Sequence, residues 1–553
     1  MKNIYKFSAA ILISLLMSVI TFDAQAQVIK SFTQRTSVYS PTQKIYNIRG
    51  DFTMIGNSNM TLGSYTDGGN NSDPMVYVDV DDDPYTLNSS SAYLSFSGEN
   101  SALPQCTDIV FAGLYWTGRA HDGNSPMTFS VEKAGGPDVP EPFDEDQNVY
   151  NSWNVNHTNY GLSISSSGSN NNRVVTYLFE PDGSGDTYTF VYSYSSVTVK
   201  VNNGTPTTLT ISQNGDYTTA TLTTPYVIYQ SGDLTVSVKQ LRRIRNYNYA
   251  VVNATGIEMV PGTITKNYDK RVVQLKHEGE TAYYPVTANA NDIYFPTSEH
   301  GYMYSAYAEV TDYVRTHGTG NYFVADMALN EGSGGGTGYY GGWGMVVVYG
   351  NAKMNWRDIT IFDGHAYVQG STTISYELPI TGFNTVQHGN VHMKLGVIAG
   401  EGDRSISGDY FQIQKLQTSD WVSLSHSGNS TSNFFNGSIN TGGNARNLER
   451  LNNFGLDVAM FDIPNTDNTV ITNNQSSTKF RYGSTQDTYI IPCIVMGVDA
   501  YIPVSEGLVS VEEVDNNPPA TPITVLPNGD IEYKVKLRNR GTEPINNLQV
   551  TIP

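Results

Sequence analysis

The sequence predicts an all-β protein, folded as a jelly-roll-like sandwich of two packed sheets that carries an inserted β-module. Short runs of β-branched and aromatic residues recur along the chain, and turns rich in glycine and asparagine separate them. Patterns with helical periodicity are scarce. The 51 glycines and 38 tyrosines, among many serines, threonines and asparagines, are typical of secreted β-proteins with abundant turns.

The stretch of residues 341–364 shows this pattern most clearly. Residues 345–349 form an unbroken apolar run, which predicts a strand covered on both faces. Glycines on both sides of Trp343 indicate that another backbone comes close, because no Cβ stands in the way. Residues 356–361 predict a partner strand, and Asp363-Gly364 predicts the turn that ends it.

The balance of charge restricts the class of partner. Acidic residues outnumber basic residues by 52 to 32, which gives a formal net charge of -20. Such a chain repels nucleic acids and anionic membranes and leaves divalent cations as the expected counter-charge. With 553 residues, it is also long enough for several units with sizeable cores.

Residues 1–26 have the features of a cleaved signal peptide. A basic start with Lys2 and Lys6 precedes an apolar core over residues 9–20, and Ala24-Gln25-Ala26 forms a small-x-small cleavage site. No later stretch approaches the roughly 20 apolar residues that a membrane-spanning helix needs. We therefore expect the mature chain to be exported, without a transmembrane segment, to the cell surface, the outer membrane or the medium.

The texture of the mature chain changes twice. Between residues 146 and 262 the strands become short and alternating, with little leucine or isoleucine, whereas the apolar runs before this segment, such as residues 109–116, return after it. The predicted parts are the first part of the main β-sandwich domain (27–145), the inserted β-module (146–262), the second part of the main domain (263–505), a linker rich in proline and asparagine (506–523) and a C-terminal segment (524–553). Residues 309–312 predict the start of a short helix capped by Thr311.

Asp79, Asp81 and Asp83 form the sharpest local motif. At alternate positions, their carboxylates lie on one side of an extended segment or curl around an ion, and oxygen ligands at this density suit a structural Ca²⁺. Pro84 and Ser90 stand where the helix-loop-helix calcium loop has its glycine and its bidentate glutamate. A solvated acidic turn is therefore the alternative.

Further acids lie in glycine-rich turns later in the chain. These residues are Glu401, Asp403, Asp409, Asp457 and Asp462. They predict either additional Ca²⁺ sites or Asx turns, and the turns are favoured. Because the sequence alone brings no two of them together, none is assigned as a catalytic acid or base.

Cysteine and histidine suggest two further candidates. Export permits a disulfide between Cys106 and Cys493, whereas the apolar runs around them equally allow two buried free thiols. His388 and His392 would lie on one face of a strand and make a metal pair conceivable. Two half-exposed histidines are the favoured interpretation, because the sequence offers no third ligand nearby.

Aromatic and basic residues are the candidate ligand contacts. Trp116 belongs to an apolar run and is expected in the core, whereas Trp153, Trp356 or Trp421 would give a sugar-stacking platform if exposed. A basic cluster is interleaved with Tyr247 and Tyr249. Its members are Lys239, Arg242, Arg243 and Arg245. The cluster either binds phosphate or an acidic glycan or, as favoured, forms a solvated strand face that balances nearby acids.

Seven sequence blocks in collinear order carry a resemblance to a known group of proteins. The blocks are FAGLYWTGR (111–119), YSAYAEVTDYV (304–314), GGWGMVVVY (341–349), RDITIFDGH (357–365), GVIAGEGDRSISGD (396–409), NFFNGSI (433–439) and NFGLDVAMFDIPN (453–465). Together they resemble the N-terminal region of large, adhesin-like bacterial surface proteins, which precedes arrays of a conserved immunoglobulin-like repeat of unknown function. The resemblance spans most of residues 90–505 and skips the proposed insert.

The end of the chain extends this resemblance. Residues 529–553 resemble the opening strands of one such repeat, and they offer only the first few of the about seven strands that an immunoglobulin-like sandwich needs. The resemblance implies a truncated repeat here. It also implies further repeats and a sorting domain for surface display, through a type IX secretion route.

These observations lead to three hypotheses for function. The first is a non-catalytic structural or adhesive protein, exported to the cell surface or secreted, stiffened by Ca²⁺ and in contact with a glycan or protein ligand. The second is a carbohydrate-binding module of a secreted degradative system, which needs exposed aromatic rings. The third is a hydrolase of unrecognised type. It is disfavoured because the sequence holds no Gly-x-Ser-x-Gly elbow, no His-Glu-x-x-His helix and no Cys/His pairing of known spacing.

Overall fold

A computed structural model of the chain is built almost entirely of β-strands. It describes residues 28–120, 127–155, 158–181, 183–244, 247–296, 303–370, 372, 375–500, 505–539, 541, 545 and 548–551. Strands hold 55% of the chain and helices 5%. The predicted all-β sandwich class is therefore confirmed, while the signal peptide predicted at residues 1–26 lies outside the described residues.

The chain divides into two compact units. The first unit comprises Met1–Val131 and Thr265–Pro553, and the second comprises Glu132–Ile264. The sequence placed the start of the inserted β-module later, at residue 146, which falls inside a single long strand, Thr128–Val149. Prolines, glycines and acids within that strand lack an alternating pattern, so its early start was not apparent.

The strands are numbered in chain order. Those up to the second unit are β1 (Val28–Gln34), β2 (Tyr46–Ser58), β3 (Met60–Leu62), β4 (Met75–Tyr77), β5 (Ser89–Leu94), β6 (Asp108–Arg119) and β7 (Thr128–Val149). Next come β8 (Ser152–Val155), β9 (Thr158–Ser167), β10 (Val174–Pro181), β11 (Tyr188–Tyr192), β12 (Val197–Val201), β13 (Thr207–Leu209), β14 (Ile211–Gln213), β15 (Thr219–Ser231), β16 (Leu234–Arg242) and β17 (Tyr249–Asp269).

The rest of the chain continues this series. Its strands are β18 (Val272–His277), β19 (Tyr284–Thr287), β20 (Ile293–Tyr294), β21 (Met303–Glu309), β22 (Gly320–Ala325), β23 (Gly341–Gly350), β24 (Trp356–Val368), β25 (Tyr376–Thr381), β26 (Met393–Gly400), β27 (Asp409–Gln414), β28 (Trp421–Ser423), β29 (Ile439–Asn440), β30 (Arg446–Asn447), β31 (Leu456–Asp462), β32 (Ser477–Ser484), β33 (Tyr489–Asp499), β34 (Ser505–Val514) and β35 (Ile531–Asn539). The helix α1 is Thr311–His317. Short 3₁₀ turns are Glu99–Ser101, Pro104–Cys106, Asn170–Asn172, Gly335–Thr337 and Thr466–Asn468.

One large sheet organises the first unit. Its order is β20-β21-β6-β23-β2-β24-β33-β26-β31-β29, and β1 also pairs with β24. β23 is buried along nearly its whole length between β6 and β2, which confirms the prediction of a strand covered on both faces. Gly56 of β2 faces Gly344 of β23, and a Cβ on Gly56 would lie 2.4 Å from the carbonyl oxygen of Trp343. The glycines therefore permit the close backbone contact that the sequence indicated.

The predicted pairing of β23 with β24 is wrong. β2 lies between them, because its second part pairs with β23 and its first part with β24. The predicted turn at Asp363-Gly364 is also absent. β24 continues through these residues with a register shift against β33, and a Cβ on Gly364 would lie 2.9 Å from the carbonyl oxygen of Lys30. Gly364 thus lets β1 approach the bulge.

Two other sheets pack against the large sheet, which also buries a core between its own strands, including Phe52, Val346, Ile398 and Val458. The sheet of order β25-β32-β27-β28 packs on it through a continuous core that includes Phe411, Phe480, Val397 and Met496. The sheet of order β19-β18-β22-β5-β30 is bonded to the large sheet through Ser90 of β5, whose Oγ accepts a hydrogen bond from Nε1–H of the buried Trp343 at 2.9 Å. Two layers that bury one another's apolar faces form a sandwich.

The second unit is a sandwich of its own. Its sheets have the orders β13-β12-β11-β10-β9-β8 and β14-β15-β16-β17-β7. Alternate residues of the two sheets, including Tyr177, Phe190, Val236 and Val252, meet in one buried core. The alternation predicted for the inserted module therefore has a physical basis, since each strand buries one face. The prediction that its strands are short is wrong for β7, β15 and β17, which have 22, 13 and 21 residues.

Two local predictions need correction. α1 begins at Thr311, so Thr311 is its first residue and not its cap, and its Oγ1 accepts a hydrogen bond from the backbone N–H of Ala112 at 3.0 Å. The predicted linker of residues 506–523 begins inside β34, which pairs with β35. Most of β34 is exposed, so its sequence carries no buried face that would have marked a strand.

No helix in the described part of the chain combines the length and apolar character that crossing a bilayer requires.

The substitution Gly56→Ala tests the backbone contact between β2 and β23. We expect it to lower the free energy of unfolding by about 1 to 3 kcal/mol, because the new methyl group overlaps a carbonyl oxygen that cannot move away. Gly68→Ala is the matched control, since a Cβ there meets no atom within 4 Å. Urea unfolding of both variants measures the difference, and equal stabilities would contradict this packing.

Candidate functional site

The predicted calcium ligands Asp79, Asp81 and Asp83 make local hydrogen bonds. Asp79 accepts one from Ser89 Oγ at 3.0 Å, and Asp81 accepts from the backbone N–H of Asp83 at 3.1 Å. Asp81 also accepts from the hydroxyls of Thr86 and Tyr283. These bonds fit the alternative of an acidic turn, and calcium binding here stays a prediction.

A second set of carboxylates comes together at one end of the first unit. We call it the acidic cluster, and its members are Glu401, Asp403, Asp409, Asp457 and Asp487. Each is at most 6% exposed. The sequence flagged all of these except Asp487, whose surroundings carry no glycine-rich turn.

Strand pairing explains why residues so distant in sequence meet here. Gly400, at the end of β26, pairs with Ile490 of β33 and with Leu456 of β31. Asp409, at the start of β27, pairs with Ser484 of β32. The loops that precede or follow these residues therefore lie at the same end of the strands in both sheets. The acids lie in or beside those loops.

Backbone N–H groups hold three of the carboxylates. Asp487 Oδ2 accepts from the N–H of Asp403 at 2.8 Å, and Asp409 Oδ2 accepts from that of Phe435 at 2.6 Å. Asp457 accepts from three consecutive N–H groups, those of residues 436–438, at 2.9 to 3.2 Å. These bonds fix the loops around the acids.

Burial raises the pKa of every member of the acidic cluster. The pKa of Asp487 rises to about 9, those of Asp409 and Asp457 to about 7 and that of Asp403 to about 6. The pKa of Glu401 rises well above its usual value through burial and then through the charges of Asp487 and Asp403, which the Arg119 guanidinium and the Asn71 amide partly oppose. Negative charge at this edge is therefore costly in the folded state.

Asp462, the remaining flagged acid, lies elsewhere. It pairs with Lys394 across β31 and β26 and lines a groove of about 480 Å³. Lys394 Nζ forms an ion pair with Asp51 in the same groove. Among the described residues, no three histidine, cysteine, aspartate or glutamate side chains are grouped closely enough to hold a metal ion by themselves.

The predicted histidine pair is not on a strand. His388 and His392 are exposed in the segment before β26, because β26 begins only at Met393. The common strand face on which a shared metal would depend is therefore missing.

The tryptophans divide between core and surface. Trp116 is fully buried and donates its Nε1–H to the carbonyl oxygen of Lys270 at 2.9 Å, as its apolar run predicted. Trp421 is partly buried, and the guanidinium of Arg481 lies 4.2 Å from its ring centroid. Trp356 is partly buried. The side chain of Trp153 lies outside the described residues.

The predicted basic cluster does not act as one face. Lys239 forms an ion pair with Asp146 at 2.7 Å. Arg243 is buried and donates to the carbonyl oxygens of Tyr217 and Arg173, so the expectation of a solvated face is wrong for this residue. Arg245 lies outside the described residues.

Arg242 instead borders a group of aromatic rings in the second unit. Its guanidinium lies 5.2 Å from the ring centroid of Tyr249. Tyr150, Tyr247 and Tyr249 lie with ring centroids 5.2 to 5.8 Å apart, and the hydroxyls of Tyr150 and Tyr247 are 2.8 Å apart. We call these three residues the tyrosine cluster. The sequence pointed to Tyr247 and Tyr249, whereas Tyr150 joins them through the fold alone.

Both cysteines are free. Cys106 is exposed in a 3₁₀ turn, and Cys493 is buried in β33. The disulfide that the sequence left open is therefore not formed in this structure, and the alternative of two buried thiols is wrong for Cys106.

One serine and one histidine are in contact. Ser305 Oγ and His365 Nδ1 are 2.5 Å apart, but both residues are buried. Burial lowers the pKa of His365 to about 3, so its imidazole is neutral near pH 7. A substrate cannot reach such a pair without an opening of the sheet.

Comparison with known proteins adds no functional assignment. No protein-family model matches the chain, and no curated protein matches its sequence. A solved structure of PNGF-II aligns over 71% of this chain and 99% of its own, with 7% sequence identity and a TM-score of 0.17. A likeness at that level carries no argument about fold or function.

The acidic cluster makes stability depend on pH. A carboxyl whose pKa is raised on folding stabilises the folded state only while protonated, so this contribution is lost as the pH rises through the folded-state pKa. In the presence of a chelator, we expect the melting temperature to rise as the pH falls from about 8 to about 6.5. Burial lowers the pKa of His365 and of His426, and these residues destabilise the fold only below the ordinary pKa of histidine, so they do not contribute in this window. Burial also lowers the pKa of Lys270 to about 8, so most of its titration lies above the window.

The variant Asp487→Asn provides the control for this pH dependence. We expect the melting temperature of this variant, measured by calorimetry, to change less between the same two pH values. That result would locate the pH dependence in the acidic cluster. An unchanged slope would contradict it.

Thiol labelling tests the two cysteine environments. We expect a maleimide reagent to modify Cys106 in the folded protein and Cys493 only after denaturation, because burial both blocks the thiol and raises its pKa. Mass spectrometry of the labelled peptides gives the result. Labelling of neither cysteine in the non-reduced protein, and of both after reduction, would show that a disulfide exists.

Proposed function

We propose that this protein is an exported, non-catalytic surface protein with a structural and adhesive role, and that it is displayed at the cell surface or released. Its resemblance to the N-terminal region of adhesin-like bacterial surface proteins supports this proposal. The confirmed all-β architecture is compatible with it. The observation that carries the adhesive role is the tyrosine cluster on the second unit.

The geometry of the tyrosine cluster suits a ligand with both apolar and hydroxyl-bearing faces. Tyr150 is 42% exposed and Tyr247 is 56% exposed, whereas Tyr249 is buried. Tyrosine rings stack on the C–H faces of sugars, and their hydroxyls donate and accept hydrogen bonds. The hydroxyl contact between Tyr150 and Tyr247 holds the two rings in place at low conformational cost. We therefore propose that the ligand is a glycan.

Arg242 extends the same surface. A guanidinium beside an aromatic ring presents several N–H donors in a fixed plane. Because the chain as a whole is strongly acidic, this local positive charge would select where an acidic sugar could bind. The patch lies within the second unit and needs no contribution from the first.

A carbohydrate-binding module of a secreted degradative system is the second candidate, and the same exposed rings favour it. The two candidates differ in ligand source. An adhesin binds glycans or matrix proteins of a cell surface, whereas a degradative module binds insoluble plant or microbial polysaccharides. Stiffening by Ca²⁺ is part of the proposal.

Ligand binding by the tyrosine cluster can be measured on arrays. We expect the chain of residues 27–553 to bind a subset of cell-surface glycans, and Tyr247→Ala or Tyr150→Ala to weaken binding by about tenfold, since loss of a stacking aromatic removes about 1 kcal/mol or more. Tyr85→Ala is the matched control, because Tyr85 is 67% exposed and lies outside the second unit.

The pattern of ligands separates the candidates. Retention on insoluble polysaccharide without binding to cell-surface glycans would favour the degradative module. Binding that Tyr247→Ala and Tyr85→Ala weaken equally, or no glycan binding, would refute a role for the tyrosine cluster.

A further inference from the structure

Two buried carboxylate oxygens of the acidic cluster have no hydrogen-bond donor. Glu401 Oε2 and Asp409 Oδ1 are buried without a partner, although the two residues are only 2% and 0% exposed. The amide oxygens of Asn433 and Asn436 are buried without a partner in the same loops. Buried oxygens that accept no hydrogen bond are rare in folded proteins and call for an explanation such as an ion.

The loop that carries Asn433 and Asn436 is hydrogen-bonded to the acidic cluster and its neighbours. Asn433 Nδ2 donates to the carbonyl oxygen of Arg404 at 3.0 Å, and the backbone N–H of Asn436 donates to Asp457. A Cβ on Gly402 would lie 2.2 Å from the carbonyl oxygen of Phe435, so these two loops are in direct contact. The unpartnered oxygens thus belong to one region of the fold.

Positive charge is scarce around this region. Arg119 is the cation that bears on Glu401, but its Nη1 already donates to the carbonyl oxygens of Gly334 and Gly338, at 2.6 and 2.9 Å. For each of the other four acids, burial is the largest cause of the raised pKa. A buried carboxylate without a matching cation or enough hydrogen-bond donors is stabilised by binding a proton or a metal ion.

We propose that the acidic cluster binds Ca²⁺, with the carboxylates of Glu401 and Asp487 as its anionic ligands. Their loops are in contact, because the backbone N–H of Asp403 donates to Asp487 Oδ2 at 2.8 Å and Gly400 pairs with Ile490. This inference deepens the calcium part of the proposed function and does not depend on glycan binding by the tyrosine cluster. It places the ion away from the Asp79–Asp83 turn, where no carboxylate oxygen is buried without a hydrogen-bond partner.

The chemistry of the available donors selects this class of ion. The acidic cluster, together with Asn433 and Asn436, offers carboxylate, amide and backbone oxygens. None of these residues is a cysteine or a histidine. Ca²⁺ takes six to eight oxygen ligands in an irregular shell, whereas Mg²⁺ demands a regular octahedron and Zn²⁺ prefers nitrogen and sulfur. No three acidic side chains converge in the described structure, so asparagine, backbone and water oxygens would complete the shell.

Binding here would join the two sheets of the sandwich. Glu401 follows β26 of the large sheet, while Asp487 lies between β32 of the covering sheet and β33 of the large sheet. An ion held by both carboxylates would cross-link loops that leave different layers. It would also remove the repulsion between Glu401 and Asp487.

Calorimetric titration of Ca²⁺ into the chelator-treated chain of residues 27–553 tests the proposal. We expect saturable binding with a stoichiometry near one, weakened by about tenfold or more in Glu401→Gln and in Asp487→Asn. Asp81→Asn is the matched control, because it removes a carboxylate from the competing turn and should leave binding unchanged. Terbium luminescence, excited through tyrosine, gives a second readout, since Tyr340 and Tyr367 both sense the charge of Glu401.

Stability in the absence of metal separates ion binding from a purely structural role. Glu401→Gln removes a buried charge, so with chelator at about pH 8 we expect its melting temperature to equal or exceed that of the parent chain. Addition of Ca²⁺ should raise the melting temperature of the parent but not that of the variant.

Three results would overturn the proposal. These are the absence of saturable binding, loss of binding in Asp81→Asn with retention in Glu401→Gln, and a Glu401→Gln variant that is unfolded in chelator. Glycan binding measured with chelator present is independent of these outcomes, so a failure of the calcium site and a failure of the tyrosine cluster can be told apart.

Discussion

Uncompensated negative charge inside a β-sandwich is the constraint on which this structure depends. A carboxylate buried away from water must bind a donor, a proton or a cation, since its desolvation otherwise costs several kcal/mol. The acidic cluster meets this demand only in part, because backbone N–H groups hold Asp409, Asp457 and Asp487 while Glu401 Oε2 has no donor. We therefore propose that the stability of the loops that join the layers depends on pH and on divalent cations.

The large sheet brings the buried acids together. Its central strands come close through glycines such as Gly56, and its tryptophans bond across to neighbouring layers. Because the strands are long and paired in fixed register, the ends of β26, β27, β31 and β33 can lie only at one edge. The second unit has its own core and exposes Tyr150 and Tyr247 of its tyrosine cluster. In our proposal, the first unit carries an ion site and the second unit carries the surface for a ligand.

The sequence revealed the strands whose burial leaves a pattern and missed what depends on pairing. The apolar run of β23 was predicted because both of its faces are covered. Its separation from β24 by β2, the bulge at Gly364 and the exposed β34 leave no periodic signal. The same limit applies to the candidate site. Glycine-rich turns marked Glu401 and Asp457, but Asp487 and Tyr150 join their clusters only through contacts between residues far apart in sequence.

An anomalous diffraction map from crystals of the chain grown with Tb³⁺ would test the central claim most directly, because the lanthanide occupies Ca²⁺ sites and scatters strongly. We expect a peak within coordination distance of carboxylate oxygens of both Glu401 and Asp487. A map with no peak there, or with a peak only at Asp79, Asp81 and Asp83, would contradict the account.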